Sequence, residues 1–247
     1  MAVYDLDLQE LPLFAGLKAA EVDQFIQATG AKVKRYGKDT RILKTYEHND
    51  KIGIIAEGEA LVIAEDRFGN ESVGHRLGRG ALFGSTTAIL PSYVNPTAID
   101  AVTDVLVLWV PYMALIVAGP KLGRIHGIVM RNLLVAFCRK NVMMVQKLEL
   151  LSQKTLRERL ILYLLQKSAG REDKRVKVPG RVQLAKELEC NRSALTREIG
   201  LMKEKGLLTC GGDWMELDEE KLKEERWGDD ASDIFRCDQE FCRTAGH

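Results

Sequence analysis

The sequence predicts an α+β chain: an N-terminal antiparallel β-roll, a long dimerisation helix and a C-terminal winged helix-turn-helix. Three observations predict it. Short β-like runs between turns fill the first half. A heptad of apolar residues occupies the middle, and two short helical patterns followed by a glycine-punctuated hairpin come after it.

The first half opens with a short amphipathic helix over 19–29, then β-like runs at 31–36, 40–44, 51–57, 60–65, 71–77 and 102–110. Asp66-Arg67-Phe68-Gly69-Asn70 and Gly78-Arg79-Gly80 have turn composition, and Gly58 and Gly84 mark tight backbone positions. Runs of this length and spacing make an antiparallel barrel or roll.

A long helix follows over about 123–153. Met130, Leu134, Phe137, Asn141, Met144, Leu148 and Leu151 recur in alternating steps of four and three. That is a heptad, which pairs with a copy of itself in a parallel coiled coil, and a polar Asn141 inside the seam fixes register and two-strandedness. A second stripe, Ile128, Val135, Cys138, Val142 and Val145, is expected to face the roll. Ser152 is expected to cap a new helix over 153–168.

The last part carries the sharpest signal. In residues 181–208 the first short helix is expected to bury Val182, Leu184, Ala185 and Leu188, with Lys186 and Glu187 in water. Glu189-Cys190-Asn191 makes the turn, and Asn191 caps the second helix by accepting an orphan backbone N–H. Leu195, Ile199 and Met202 then face inward, which leaves Arg192, Ser193, Thr196 and Arg197 outward. Arginines near the start of such a helix are placed to grip guanine edges or phosphates in a major groove. Gln183, at the start of the first helix, is a candidate phosphate contact. Residues 206–217 read as a β-hairpin turning at Gly211-Gly212, the wing.

Charge is segregated to match. The whole chain is +1, but residues 154–208 hold 14 Lys/Arg against 7 Asp/Glu, and residues 213–247 hold 12 acidic against 5 basic. A net +7 block therefore sits on the helix pair, where phosphate attraction would use it, and a net −7 stretch follows. With 46% apolar and 29% charged residues and no run of roughly 20 apolar residues, no membrane span is expected. The N-terminus has no secretory pattern, and five irregularly spaced cysteines (138, 190, 210, 237 and 242) suit a reducing cytoplasm.

In this order the elements resemble the CRP/FNR family of bacterial transcription regulators. The resemblance covers about 11–222 and rests on five stretches: Pro12-Leu13-Phe14-Ala15-Gly16-Leu17, Ile55-Ala56-Glu57-Gly58-Glu59-Ala60, Gly80-Ala81-Leu82-Phe83-Gly84, residues 151–160 and the helix pair. It implies a cyclic-nucleotide-binding-like roll and a homodimer on a palindromic double-stranded DNA site. It also implies contact with RNA polymerase and an effector that reorients the DNA-reading helices. The implied domains are an effector-sensing roll (1–120), a dimerisation helix (121–151), a DNA-binding domain (152–222) and an acidic tail (223–247).

The ligand cassette departs from the family's cyclic-nucleotide binders. Where they carry a Glu for the ribose and an Arg-Ser pair for the cyclic phosphate, this chain has Ser85 and Asn95-Pro96. A phosphate buried without a cation loses its charge-assisted bonds, and proline also removes a donor. The Thr-Ser pair that contacts adenine in the cyclic-AMP receptor is matched by Met144-Val145. Cyclic AMP is therefore disfavoured. The expected effector is a small apolar or aromatic molecule, bound by Gly84, Ser85, Thr86, Ile89, Tyr93, Asn95, Pro96, Thr97, Met144 and Val145; a collapsed, empty pocket is the alternative. Haem, with His48 and His75 as the roll's histidines, is a lesser alternative, and no other cofactor or metal is expected.

Two further readings stay open. Regulation independent of any effector, or through cysteine redox at Cys237 and Cys242, fits the same fold; Cys138 and Cys190 read as packing residues. In the DNA-reading helix, Arg192 and Arg197 match the family's arginines, while Ser193 stands where many members have a cytosine-reading Glu. No paired carboxylates, nucleophile elbow, metal-binding histidine pair or phosphate loop is present, so no catalytic residue and no enzyme activity is expected.

Overall fold

A computed structural model describes residues 7–65, 71–90, 92–93, 97–117 and 119–224. The chain divides into two compact units, Met1–Arg139 and Lys140–His247.

The first unit is the expected roll. Helix α1 (Ala19–Thr29) precedes β1 (Lys32–Tyr36), β2 (Arg41–Leu43), β3 (Lys51–Glu57), β4 (Ala60–Glu65), β5 (Glu71–Leu77) and β6 (Leu82–Phe83). A short α2 (Ser85–Ile89), β7 (Thr97–Ala101), β8 (Val105–Pro111) and α3 (Tyr112–Val117) complete it. All pairings are antiparallel, in two four-stranded sheets ordered β1-β8-β3-β6 and β2-β7-β4-β5.

Alternation along the strands explains how one sheet serves two cores. Ile52, Ile54, Leu108 and Val110 join an outer cluster with Phe14, Val22 and Phe25. Ile55, Val105 and Val107 point to the other face, into a core shared with Ile99, Leu77 and Phe83. The middle of β3 is therefore buried on both faces, which is why its sequence is apolar without alternation. Gly58, at the β3–β4 turn, has φ +82°, and a Cβ there would lie 2.2 Å from the Asp104 carbonyl oxygen. Gly84, with φ +69°, holds the equivalent tight position before α2.

The run expected at 102–110 begins later, at Val105, and β7 before it was not expected. The turn at 66–70 lies outside the described residues. In the outer cluster an apolar void of about 10 Å³ lies among Leu13, Phe25, Ile52 and Val129, with room for about one water at most.

Helix α4 runs unbroken from Arg124 to Ser152. It corrects the sequence reading of its faces. Ile125, Val129 and Leu133, three residues one turn apart, are the ones buried in the roll's outer cluster, and Ile128, Met130 and Phe137 pack against that cluster in part. Val135, Cys138, Val142 and Val145, expected to face the roll, are exposed. The Asn132 amide donates to the carbonyls of Leu13 (3.0 Å) and Ala15 (2.9 Å), pinning the N-terminal segment to the helix.

The second unit contains α5 (Leu156–Ser168), β9 (Val176–Lys177), α6 (Arg181–Glu187), α7 (Arg192–Glu204), β10 (Leu208–Cys210), β11 (Trp214–Leu217) and α8 (Glu219–Glu224). Leu160, Leu164, Leu184, Leu188, Leu195 and Met202 form its centre, joined by Leu150 from the end of α4. The strands make one antiparallel sheet, β10-β11-β9. The cap of α5 is Thr155, not Ser152. Thr155 Oγ1 accepts the Glu158 N–H (3.2 Å) and the Glu158 carboxylate accepts the Thr155 N–H (2.8 Å), a closed capping box. Ser152 is the last residue of α4, and its hydroxyl donates to the Glu149 carbonyl.

Candidate nucleic-acid interface

Helices α6 and α7 meet at the predicted turn. Asn191 caps α7, its side-chain oxygen accepting the Ala194 N–H at 2.8 Å and the Ser193 hydroxyl at 3.0 Å. Glu189 turns the chain with φ +50°, a left-handed conformation that costs a non-glycine residue about 1 kcal/mol. Leu195, Ile199 and Met202 are buried, and Arg192, Ser193, Thr196 and Arg197 are all exposed on the opposite side. The structure thus brings these four together on one face. Thr196 donates to the Arg192 carbonyl (2.9 Å), so the Ser193 and Thr196 protons are both held in local bonds. Their oxygens keep lone pairs for a donor, and the arginines keep their N–H donors: among the described residues neither Arg192 nor Arg197 has an ion-pair partner.

Two predictions on α6 need correction. Val182 is not buried but 56% exposed, because it lies on the first turn and away from the Leu184–Leu188 face. Glu187 is half-buried rather than in water, and Tyr163 hydrogen-bonds to it; burial first, then this carboxylate, pushes the Tyr163 hydroxyl above its ordinary pKa. Gln183 is exposed, with its amide donating weakly to Glu187 (3.4 Å). Cys190 packs half-buried against the core as expected, and burial raises its thiol pKa.

The sequence reading missed the groups that aim α7. Arg157 on α5 donates to Glu198 of α7 at 2.6 Å, both side chains mostly buried. Two residues along, Arg159 donates to the Gln153 carbonyl (3.2 Å) and to the Leu188 carbonyl (3.2 Å), an otherwise open acceptor at the end of α6. One turn of α5 therefore fixes both helices of the pair.

The wing is electrostatically different. Lys174, Arg175 and Lys177 face Glu219 (3.2 Å), Glu216 (3.5 Å) and Asp213 (3.6 Å), respectively. The Arg175 guanidinium also lies 4.8 Å from the Trp214 ring centre. The short strand β9, which carries Lys177 and directly follows Lys174 and Arg175, was not expected.

No family model and no curated protein matches the sequence. Solved structures do. CprK complexed with OCPA is 13% identical over 80% of this chain and 88% of its own, with a TM-score of 0.61. The c-di-GMP responsive global regulator CLP of Xanthomonas campestris is 18% identical over 81% of this chain and 99% of its own, with a TM-score of 0.54. The Catabolite Activator Protein of Thermus thermophilus is 24% identical over 87% of this chain and 97% of its own, with a TM-score of 0.49.

The chain has the CRP/FNR-type fold.

In this CRP/FNR-type fold the cassette residues take defined places within the roll. Gly84 caps α2, and the Asn49 amide donates to its carbonyl at 2.9 Å. Ser85 is buried, Thr86 is exposed, Ile89 is half-buried, Tyr93 is exposed, and Thr97 opens β7. Asn95 and Pro96 lie outside the described residues, as do Cys237 and Cys242. Met144 and Val145, each 57% exposed, are on the part of α4 that belongs to the second unit. His48 and His75 are both exposed. The described residues contain no group of three or more His, Cys, Asp or Glu that could hold a metal, and no helix long and apolar enough to cross a membrane.

Along the seam, Leu134, Asn141, Met144 and Leu148 are exposed, whereas Met130, Phe137 and Leu151 are half-buried. Cys138 and Val145 adjoin the exposed members, so the open apolar stripe is centred on Leu134, Cys138, Asn141, Val145 and Leu148.

Proposed function

We propose that this chain is a sequence-specific DNA-binding transcription regulator that acts as a homodimer and is gated by a small effector other than cyclic AMP. One observation carries the DNA reading: α7 presents two exposed arginines without acidic partners among the described residues, on the face opposite its buried one. Arginine offers a planar fork for guanine or phosphate, and the local +7 charge supplies the salt-dependent attraction. The exposed stripe of α4 supports the homodimer, since Leu134, Val145 and Leu148 in water would gain from burial against a second copy. The effector reading rests on the cassette: Ser85 and the Asn95-Pro96 pair offer no cation for a cyclic phosphate, and Met144 and Val145 are apolar.

The test is DNA binding by fluorescence anisotropy, with and without a panel of small aromatic and apolar metabolites, alongside sedimentation to read the oligomer. Affinity for promoter DNA that appears with one compound, on a dimer, supports all three elements. Tight binding without any ligand replaces gating by an effector with the constitutive or cysteine-controlled alternative. A monomer, or DNA binding indifferent to loss of both arginines, refutes the reading.

A further inference from the structure

Around the wing the second unit pairs its cations with nearby carboxylates, which the outward arginines of α7 lack among the described residues. Lys174, Arg175, Lys177 and Lys221 each have an acidic partner within 4 Å, whereas Arg192 and Arg197 have none among the described residues. Beyond α8 the sequence supplies six more carboxylates against three arginines, in residues 225–247. The described chain reaches this segment beside the C-terminal end of α7. Leu222 is buried in the core that holds Leu195, and a Cβ at Gly206, just past α7, would lie 2.7 Å from Lys221 Nζ.

Distance then favours a match. Helical rise puts Arg197 roughly 14 Å and Arg192 roughly 21 Å back along α7 from Gly206. Asp229-Asp230, five and six residues past Glu224, reach about 17–20 Å in extended chain, which covers the distance to Arg197, and Asp233, nine residues past it, reaches about 30 Å, which covers the distance to Arg192. A tethered acid cluster is present at an effective concentration in the millimolar range, enough for weak ion pairs to compete with a free anion.

We propose that the acidic segment 225–247 occupies the outward face of α7 and competes with DNA for Arg192 and Arg197, an intramolecular restraint on non-specific binding. The inference rests on α7 being the DNA-contacting face. Phosphates repeat along a duplex and offer several contacts at once, so a specific site displaces the segment while isolated phosphate contacts do so poorly.

The experiment measures affinity for a labelled random-sequence duplex at 50–200 mM salt, for the full chain and for a version ending at Glu224. A full-length D229N/D230N/D233N variant guards against a folding defect in the truncation. Each is also made with Arg192→Ala and Arg197→Ala. Truncation and neutralisation are both expected to tighten binding by about 5–10-fold at the lowest salt, less as salt rises, and the double arginine variant to abolish that gain. Equal affinity for all three proteins overturns the inference and leaves DNA binding standing. A gain that survives loss of both arginines also overturns it, because the segment then acts elsewhere. Absence of binding by the truncated and the neutralised proteins at 50 mM salt overturns the DNA reading itself.

Discussion

Helix α7 and the strand region around β9 each carry three cations: Arg192, Arg197 and Lys203 on one, Lys174, Arg175 and Lys177 on the other. Every cation of the β9 group faces a carboxylate. None of the α7 group has one among the described residues. Count of charge is equal, but its availability is not. A phosphate approaching β9 must displace an existing partner and gains little, whereas one approaching α7 gains a full charge-assisted bond. Counting basic residues along a sequence cannot make that distinction, because the carboxylates come from β11, the hairpin turn and α8.

The largest expected effect breaks the α7 side. Arg197→Ala should weaken DNA binding by about 1–3 kcal/mol; a loss confined to certain sequences marks a base contact, and a uniform loss a phosphate contact. Anisotropy titrations against duplexes of varied sequence separate the two. Next comes the support beneath α7. Glu198→Ala leaves the mostly buried Arg157 without its partner, and the second unit should lose about 1–3 kcal/mol in chemical denaturation. Lys177→Ala sharpens the comparison from the wing side: its effect on DNA affinity should be under about 0.5 kcal/mol, with the slope of affinity against salt almost unchanged. An effect equal to that of Arg197→Ala would end the contrast between the two surfaces.

Smaller still is Gly200→Ala. A Cβ there meets nothing within 4 Å, so helix propensity should stabilise the second unit by about 0.5–1 kcal/mol in thermal melts. The last contrast is between the units and concerns pH. In the first unit, the Arg35 side chain and then the Lys38 N–H hold the Asp104 carboxyl below its ordinary pKa. The Lys18 N–H, chiefly, and Arg124 do the same for Glu21. That stabilisation is present above the ordinary carboxylate range and is lost as acid carries pH down through the lowered values. In the second unit, burial raises Cys190 and Tyr163, so their contribution is present at neutral pH and is lost toward strong alkali. Single-tryptophan variants keeping Trp109 or Trp214 should report the acid-sensitive and alkali-sensitive transitions separately.

Much of this was legible in the chain. Periodicity located α1, α4, α6 and α7 and divided α7 into buried and outward faces, because a 13-residue amphipathic helix has only one way to hide Leu195, Ile199 and Met202. What failed had weak or competing local signals. Thr97–Ala101 mixes alanine and aspartate and does not read as a strand; it becomes one by pairing with β2 and β4. Helix α4 has apolar residues on more than one side, so spacing gave a heptad without saying which side the roll had already taken. The roles of Arg157 and Arg159 depend on partners 41 and 29 residues away, and no local pattern announces those.

That single turn of α5 has an evolutionary corollary. Arg157 and Arg159 hold α7 and α6 from the same stretch of helix, while Leu160 and Leu164 just beyond them set how that helix is rotated in the core. One residue inserted after Arg159 would turn the arginines about 100° out of phase with the leucines. Both grips would be lost together. Substitutions there can be repaired one at a time, but insertions and deletions cannot, so related chains should vary in side chain along 156–164 while keeping its length.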